Sequence, residues 1–136
     1  MSFEIPNGVK WIKINAGQNG YYRVLYDEEN WGEIVSQMKV NHEIFSANDR
    51  IGLISDAFTL CHGNLLPCQI TMSLITYLPR ERNWGPMTTG LHHLEKWRRI
   101  LKYSECFLML SEIVKTILSK PVLWMGWDNG GLDEVK

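Results

Sequence analysis

The chain has 136 residues, 45% of them apolar, with 14 Lys+Arg against 15 Asp+Glu and a formal net charge of −1. That is enough apolar material for one modest core and too little charge for a disordered tail. The balanced charge supplies no single-signed field, so nucleic acid and strongly charged partners are not expected.

No run of 18 apolar residues occurs, and Met1-Ser2-Phe3-Glu4-Ile5 lacks the basic and apolar regions of a signal peptide. As written, the chain is expected neither to insert in a membrane nor to carry a secretory signal. Three cysteines, Cys61, Cys68 and Cys106, form an odd count without CxxC spacing and read as reduced, mostly buried thiols.

In chain order, VKWIKIN (9–15) and YYRVLY (21–26) mix β-branched and aromatic residues with charges, and the turn-rich AGQNG lies between them. This pattern predicts a β-hairpin with Tyr22, Val24 and Tyr26 on one face of its second arm. A lone hairpin is marginal in water, and the sequence offers no third strand of similar quality.

After Asp27 the apolar period becomes that of a helix, with Trp31, Ile34, Val35 and Met38 on one face and Asp27, Glu28 and Glu29 at the start. A second helix is predicted from the cap Ser46, with Asp49 three residues on and Ile51, Ile54, Ala57, Phe58 and Cys61 inward. Gly63 is its expected left-handed stop. A third helix is expected from Pro67 to Pro79, a fourth from Pro86 through Met87, Leu91, Leu94 and Leu101, and a fifth from Ser104 through Phe107, Leu110, Val114 and Ile117. The predicted fold class is therefore mainly α, an N-terminal β-hairpin followed by short antiparallel helices in a bundle or helical array.

The chemistry of a zinc peptidase needs two histidines at i and i+4 with a glutamate beside the first. His42-Glu43 is followed by Ser46 where the second ligand should stand, and the inverted pattern fails because Lys96 follows Glu95. Cys61, His62, Cys68, His92 and His93 fit no compact zinc spacing, so His62 reads as a cation near a helix end and His92 and His93 as solvated helix residues. No GxSxG is present, Ser55-Asp56 and Ser104-Glu105 read as helix or cap residues, and GQNG matches neither phosphate-binding glycine motif. No catalytic, cofactor-binding or metal-ligating residue is assigned. Lys96, Arg98, Arg99 and Lys102 with Trp97 form one basic aromatic patch, read as a solvated helix face. Six tryptophans are many for this length; Trp11, Trp84, Trp124 and Trp127 do not all fit one core, so some are expected to cover a missing neighbour.

WIKINAGQNGYYRVLYDEENW, then SANDRIGLISDAF, then ITYLPRERNWGPM, then MGW followed by DNGG, in this order, resemble the zinc aminopeptidases of the aminopeptidase N and glutamyl aminopeptidase type. The run 49–58 is similar to that family's DRAxLIxDAF helix. Leu25, Pro79 and Met87 depart from the usual pattern.

The resemblance implies that residues 1–27 are the last strands of a β-sandwich domain and 28–136 the first helices of a superhelical domain that closes a peptide chamber. It also implies that the zinc helix, the substrate-amine motif and the catalytic tyrosine are not in this sequence, so the chain binds no zinc and is inactive alone. Its expected partners are the catalytic and β-sandwich domains, the peptide substrate of the complete enzyme, and a possible second copy in a homo-oligomer. Complete relatives occur at the plasma membrane, in the secretory pathway and in the cytosol, which leaves the compartment open. The alternative from another class is a stand-alone interaction module that docks through the hairpin edge and exposed tryptophans.

Overall fold

The computed structural model describes residues 7–124, with side chains as far as Ser119. It divides into two compact units, Met1–Tyr77 and Leu78–Lys136. The helices are α1 (Glu28–Asn41), α2 (Ala47–His62), α3 (Cys68–Ile75), α4 (Trp84–Ile100) and α5 (Cys106–Trp124).

The expected β-hairpin is not there: no strand occurs among the described residues, so neither a β-sandwich ending nor a strand edge for docking is seen. Residues 9–15 and 21–26 are joined by a short 3₁₀ turn, Ala16–Gln18, with Asn15, Gly17 and Gln18 all at positive φ. The reason is where the backbone groups find partners. Ile12 N–H donates to Asn30 Oδ1 at 2.8 Å and Asn30 Nδ2 donates back to Ile12 O at 2.9 Å. At Ile14 the Tyr26 hydroxyl does the same, accepting from the N–H at 2.9 Å and donating to the carbonyl at 3.3 Å. The Asn15 carboxamide bridges to both N–H and C=O of Gly20. Side chains therefore satisfy donors and acceptors that a sheet ladder would otherwise have to pair.

In the first unit, Asp27 caps α1 by accepting from Asn30 N–H at 2.7 Å, and Glu28 and Glu29 occupy the first turn where the helix dipole favours them. The predicted face of α1, Trp31, Ile34, Val35 and Met38, is buried. Trp31 meets the Tyr26 ring edge-on at 5.3 Å between centroids. Ser46 caps α2 through Asp49 N–H, as its sequence predicts. The buried face of α2 is wider than expected, because Leu53 and Leu60 join Ile54, Ala57, Phe58 and Cys61 while Ile51 is only half-buried.

The stop of α2 falls one residue later than expected. Gly63 has φ −81, and Asn64 takes the left-handed conformation at φ 56. Asn64 N–H then bonds Cys61 O and Leu65 N–H bonds Leu60 O, which satisfies the last carbonyls of the helix.

Helix α3 starts one residue later than predicted, with Pro67 as N-cap, and ends at Ile75 rather than continuing to Pro79. It presses Leu74 and Ile75 into the core, and its buried Thr71 hydroxyl donates to Ala57 O of α2 at 3.0 Å.

The second unit opens with a 3₁₀ turn at Leu78–Arg80. The buried Glu81 carboxylate accepts from the N–H groups of Arg82 and Asn83, and Asn83 in turn caps α4 through Gly85 N–H at 3.0 Å. Met87 and Leu94 of α4 and Leu110 and Ile117 of α5 are buried; Leu91, Leu101, Phe107 and Val114 are half-buried. Gly90 lets α4 approach Leu78 closely, since a Cβ there would stand 2.5 Å from Leu78 Cδ1 and force that side chain to shift. Among the described residues no helix is long and apolar enough to cross a membrane.

Candidate functional site

The densest polar construction in the first unit fastens the N-terminal segment to α2. Asp49, in the first turn of α2, accepts from Lys13 Nζ at 2.8 Å, from Gly17 N–H at 2.8 Å and from the Ser46 hydroxyl at 2.7 Å. The Lys13 and Asp49 side chains are only 6% and 13% exposed, which makes this a largely buried ion pair. Burial alone would raise the Asp49 pKa; the bonds from Lys13, Ser46 and Gly17 and the Lys13 charge outweigh it, and the carboxyl titrates below its ordinary range.

Two turns later Asp56 accepts from Arg23 Nη1 at 2.8 Å and from Val24 N–H at 3.3 Å, while Arg23 also reaches the Ser55 hydroxyl at 3.2 Å. Tyr26 has its phenol pKa raised, first by burial and further by the charges of Asp56 and Asp49, against the bond to Ile14. Between the segment and α2 runs a groove of about 430 Å³, lined by Gln18, Tyr21, Tyr22 and Arg23 on one side and Gly52 and Asp56 on the other. Ser55-Asp56, read from sequence as ordinary helix residues, are thus anchors, and Arg23 holds both.

In the second unit, Arg98, Arg99, Lys102 and Phe107 line a cleft of about 270 Å³. Glu95 accepts two bonds from Arg98, at 2.8 and 3.1 Å, and a longer one from Arg99 at 3.4 Å. Arg98 also lies 5.6 Å from the Phe107 ring centroid, and Lys102 lies 5.4 Å from that of Tyr103. Bonds from Arg98 keep the Glu95 carboxyl below its ordinary pKa, slight desolvation working the other way. Within the basic patch singled out in the sequence, two cations are thereby spent on one carboxylate.

The cysteines depart from expectation. Cys61 and Cys68 form a disulfide with Cα atoms 5.3 Å apart, and Cys106 is exposed and free. The odd total concealed the pair. Its signal was positional, because the predicted end of α2 and the proline opening α3 bring residues 61 and 68 back together.

The residues weighed for a metal do not converge: Cys61 and Cys68 are bonded to each other, exposed His62 ends α2, and His92 and His93 face each other edge-on at 5.9 Å on α4. Among the described residues no group of three or more His, Cys, Asp or Glu side chains is placed to hold a metal ion. Ser104 bonds back to Leu101 O at the end of α4, in line with a helix-end role. Trp11 is half-buried against Phe45 at 4.7 Å and Trp84 is 63% exposed; the side chains of Trp124 and Trp127 lie outside the described residues.

Capped helices joined by short connections, with ion pairs that fasten the N-terminal segment to the second helix, define a small α-helical domain. The chain belongs to the ERAP1-like C-terminal domain family, which it matches over residues 11–135. It is 32% identical over 117 residues to the thyrotropin-releasing hormone-degrading ectoenzyme of Homo sapiens, covering 86% of this chain and 11% of that protein. It is 30% identical over 137 residues to human glutamyl aminopeptidase (93% of this chain, 13% of that one). With endoplasmic reticulum aminopeptidase 1 of Rattus norvegicus it shares 39% identity over 90 residues (66% and 10%). The match spans about a tenth of the length of each relative. The resemblance to aminopeptidases read from the NGYYRVLYD and DRIGLISDAF segments is thereby shown.

Proposed function

We propose that this chain acts as the first part of the helical domain of a zinc aminopeptidase, residues 28–136 helping to enclose the chamber in which peptides lose their N-terminal residues. The observation that carries this reading is the family match over residues 11–135, joined to alignments with proteins named as aminopeptidases. Zinc, its activated water and the general base belong to a catalytic domain outside this sequence. This chain's own residues contribute shape: Asp49 and Asp56 fix the entering segment on α2, and the helices restrict which peptides reach the centre. The Cys61–Cys68 disulfide supports an oxidising compartment.

Two measurements test the reading. Alone, with zinc added, the chain should not hydrolyse an aminoacyl reporter; turnover abolished by a chelator would overturn its non-catalytic role. Grafted into glutamyl aminopeptidase in place of the matched segment, it should preserve reporter cleavage and alter the dependence of rate on peptide length. A graft with unchanged length dependence would remove the chamber role.

A further inference from the structure

The connection between α2 and α3 is closed by a bond that chemistry can open. Cys61 is 3% exposed on the last turn of α2, whereas Cys68, at the start of α3, is exposed. Of the residues between them only Leu66 is buried.

Hydrogen bonds tie this connection to α2 at two places. Its first part is held as far as Leu65 N–H on Leu60 O, and the next tie is Thr71 on Ala57 O. Between them the hydrogen bond Ile70 N–H to Pro67 O stays within the segment. Helix α3 has eight residues, no side-chain cap and no acidic residue in its first turn, so its start has little stability of its own. The disulfide fastens this stretch to α2, and Leu66 is its one buried side chain before α3.

We propose that the Cys61–Cys68 disulfide is a redox latch on residues 62–70, opened by a dithiol reductant of the CxxC type. A reductant thiolate attacks the sulfur of Cys68, the exposed residue of the pair, and forms a mixed disulfide; the Cys61–Cys68 bond breaks, and Cys61 leaves as a thiolate that takes up a proton. The second reductant thiolate resolves the mixed disulfide, and Cys68 leaves and is protonated. The protein gains two electrons and two protons, and the reductant becomes its own disulfide. The freed loop releases Leu66 and the first turn of α3, while Thr71, Leu74 and Ile75 keep the rest of α3 on the core.

The test is hydrogen exchange on the full 136-residue chain carrying Cys106→Ser, which removes the exposed third thiol and thiol shuffling with it. Oxidised protein is compared with protein reduced by dithiothreitol without denaturant. Reduction should go to completion under these conditions, and the hydrogen-bonded amides of Asn64, Leu65 and Ile70 should exchange on the order of 10- to 50-fold faster while α1 and residues 47–60 change by less than about twofold. Cys61→Ser/Cys68→Ser in the same background should reproduce the reduced pattern. A rise spread evenly over α1, α2 and α3, no rise, failure of the double variant to fold, or reduction only in denaturant would each overturn the latch.

Discussion

Replacing Asp49 with alanine tests whether the buried ion pair holds the N-terminal segment. The substitution removes bonds from Lys13, Gly17 and Ser46, all at 2.7 to 2.8 Å, and leaves an ammonium on a side chain only 6% exposed. Stranding a buried charge typically costs 3–5 kcal/mol, but Lys13 Nζ keeps Ile14 O and Asn15 O at 3.0 Å, so the expected loss lies at the lower end, about 3 kcal/mol. Lys13→Met leaves Asp49 with its Gly17 and Ser46 donors and should cost about 1–2 kcal/mol. The double variant buries neither charge and should cost less than the sum of the two, by at least about 1.5 kcal/mol.

Urea unfolding followed by tryptophan fluorescence, with exchange of the Gly17 amide as a local probe, measures all three. The pH dependence has a fixed sign. A carboxyl with its folded pKa depressed stabilises fully above its unfolded value, about 3.9, and loses that contribution as pH falls through the folded value. The difference between wild type and Asp49→Ala should therefore be flat from about pH 5 to 7 and shrink below about pH 4. Additive costs, or a loss under about 0.5 kcal/mol, would refute the argument.

Four further outcomes follow from the packing and the backbone conformation. Leu74→Ala empties a fully buried position between α3 and the rest of the first unit and should cost about 3 kcal/mol by urea unfolding. Gly90→Ala forces Leu78 aside; about 1–3 kcal/mol of overpacking against about 1 kcal/mol of helix propensity should leave a net loss near 1 kcal/mol, read as a lower Tm of the second unit. Asn64→Gly relieves a side chain from the left-handed conformation at φ 56 and should be neutral or stabilise by a few tenths of a kcal/mol, whereas Gly63→Ala should be tolerated because φ there is −81.

The helices were legible because their signals are local. Asp27 and Ser46 each stand one residue ahead of the first helical residue and cap through a side-chain oxygen, and the 3.6-residue period of Trp31, Ile34, Val35 and Met38 marks the face that is buried. The N-terminal segment was misread because alternation in YYRVLY reports extended backbone, not what that backbone pairs with. Its partners are Asn30, 18 residues from Ile12, and the Tyr26 hydroxyl, 12 residues from Ile14, and neither distance leaves a pattern in the sequence.

The disulfide was hidden by counting cysteines instead of asking which helix ends approach one another. The structural role of Asp49 and Asp56 was equally invisible, since the cations they hold, Lys13 and Arg23, lie more than 30 residues upstream.

Holding an extended segment by separate ties has a consequence for insertion and deletion. A strand in a ladder is indexed at every second residue, so one inserted residue flips all those beyond it. Here Ile12 is indexed by one carboxamide and Ile14 by one phenol, and both anchors lie outside the turn at 16–20. A residue added at exposed Asn19, beyond the Gly17 contact with Asp49, must loosen the ties of Asn15 to Gly20 but shifts neither anchor. Length variation among relatives should concentrate at that point, leaving residues 12 and 14 in place.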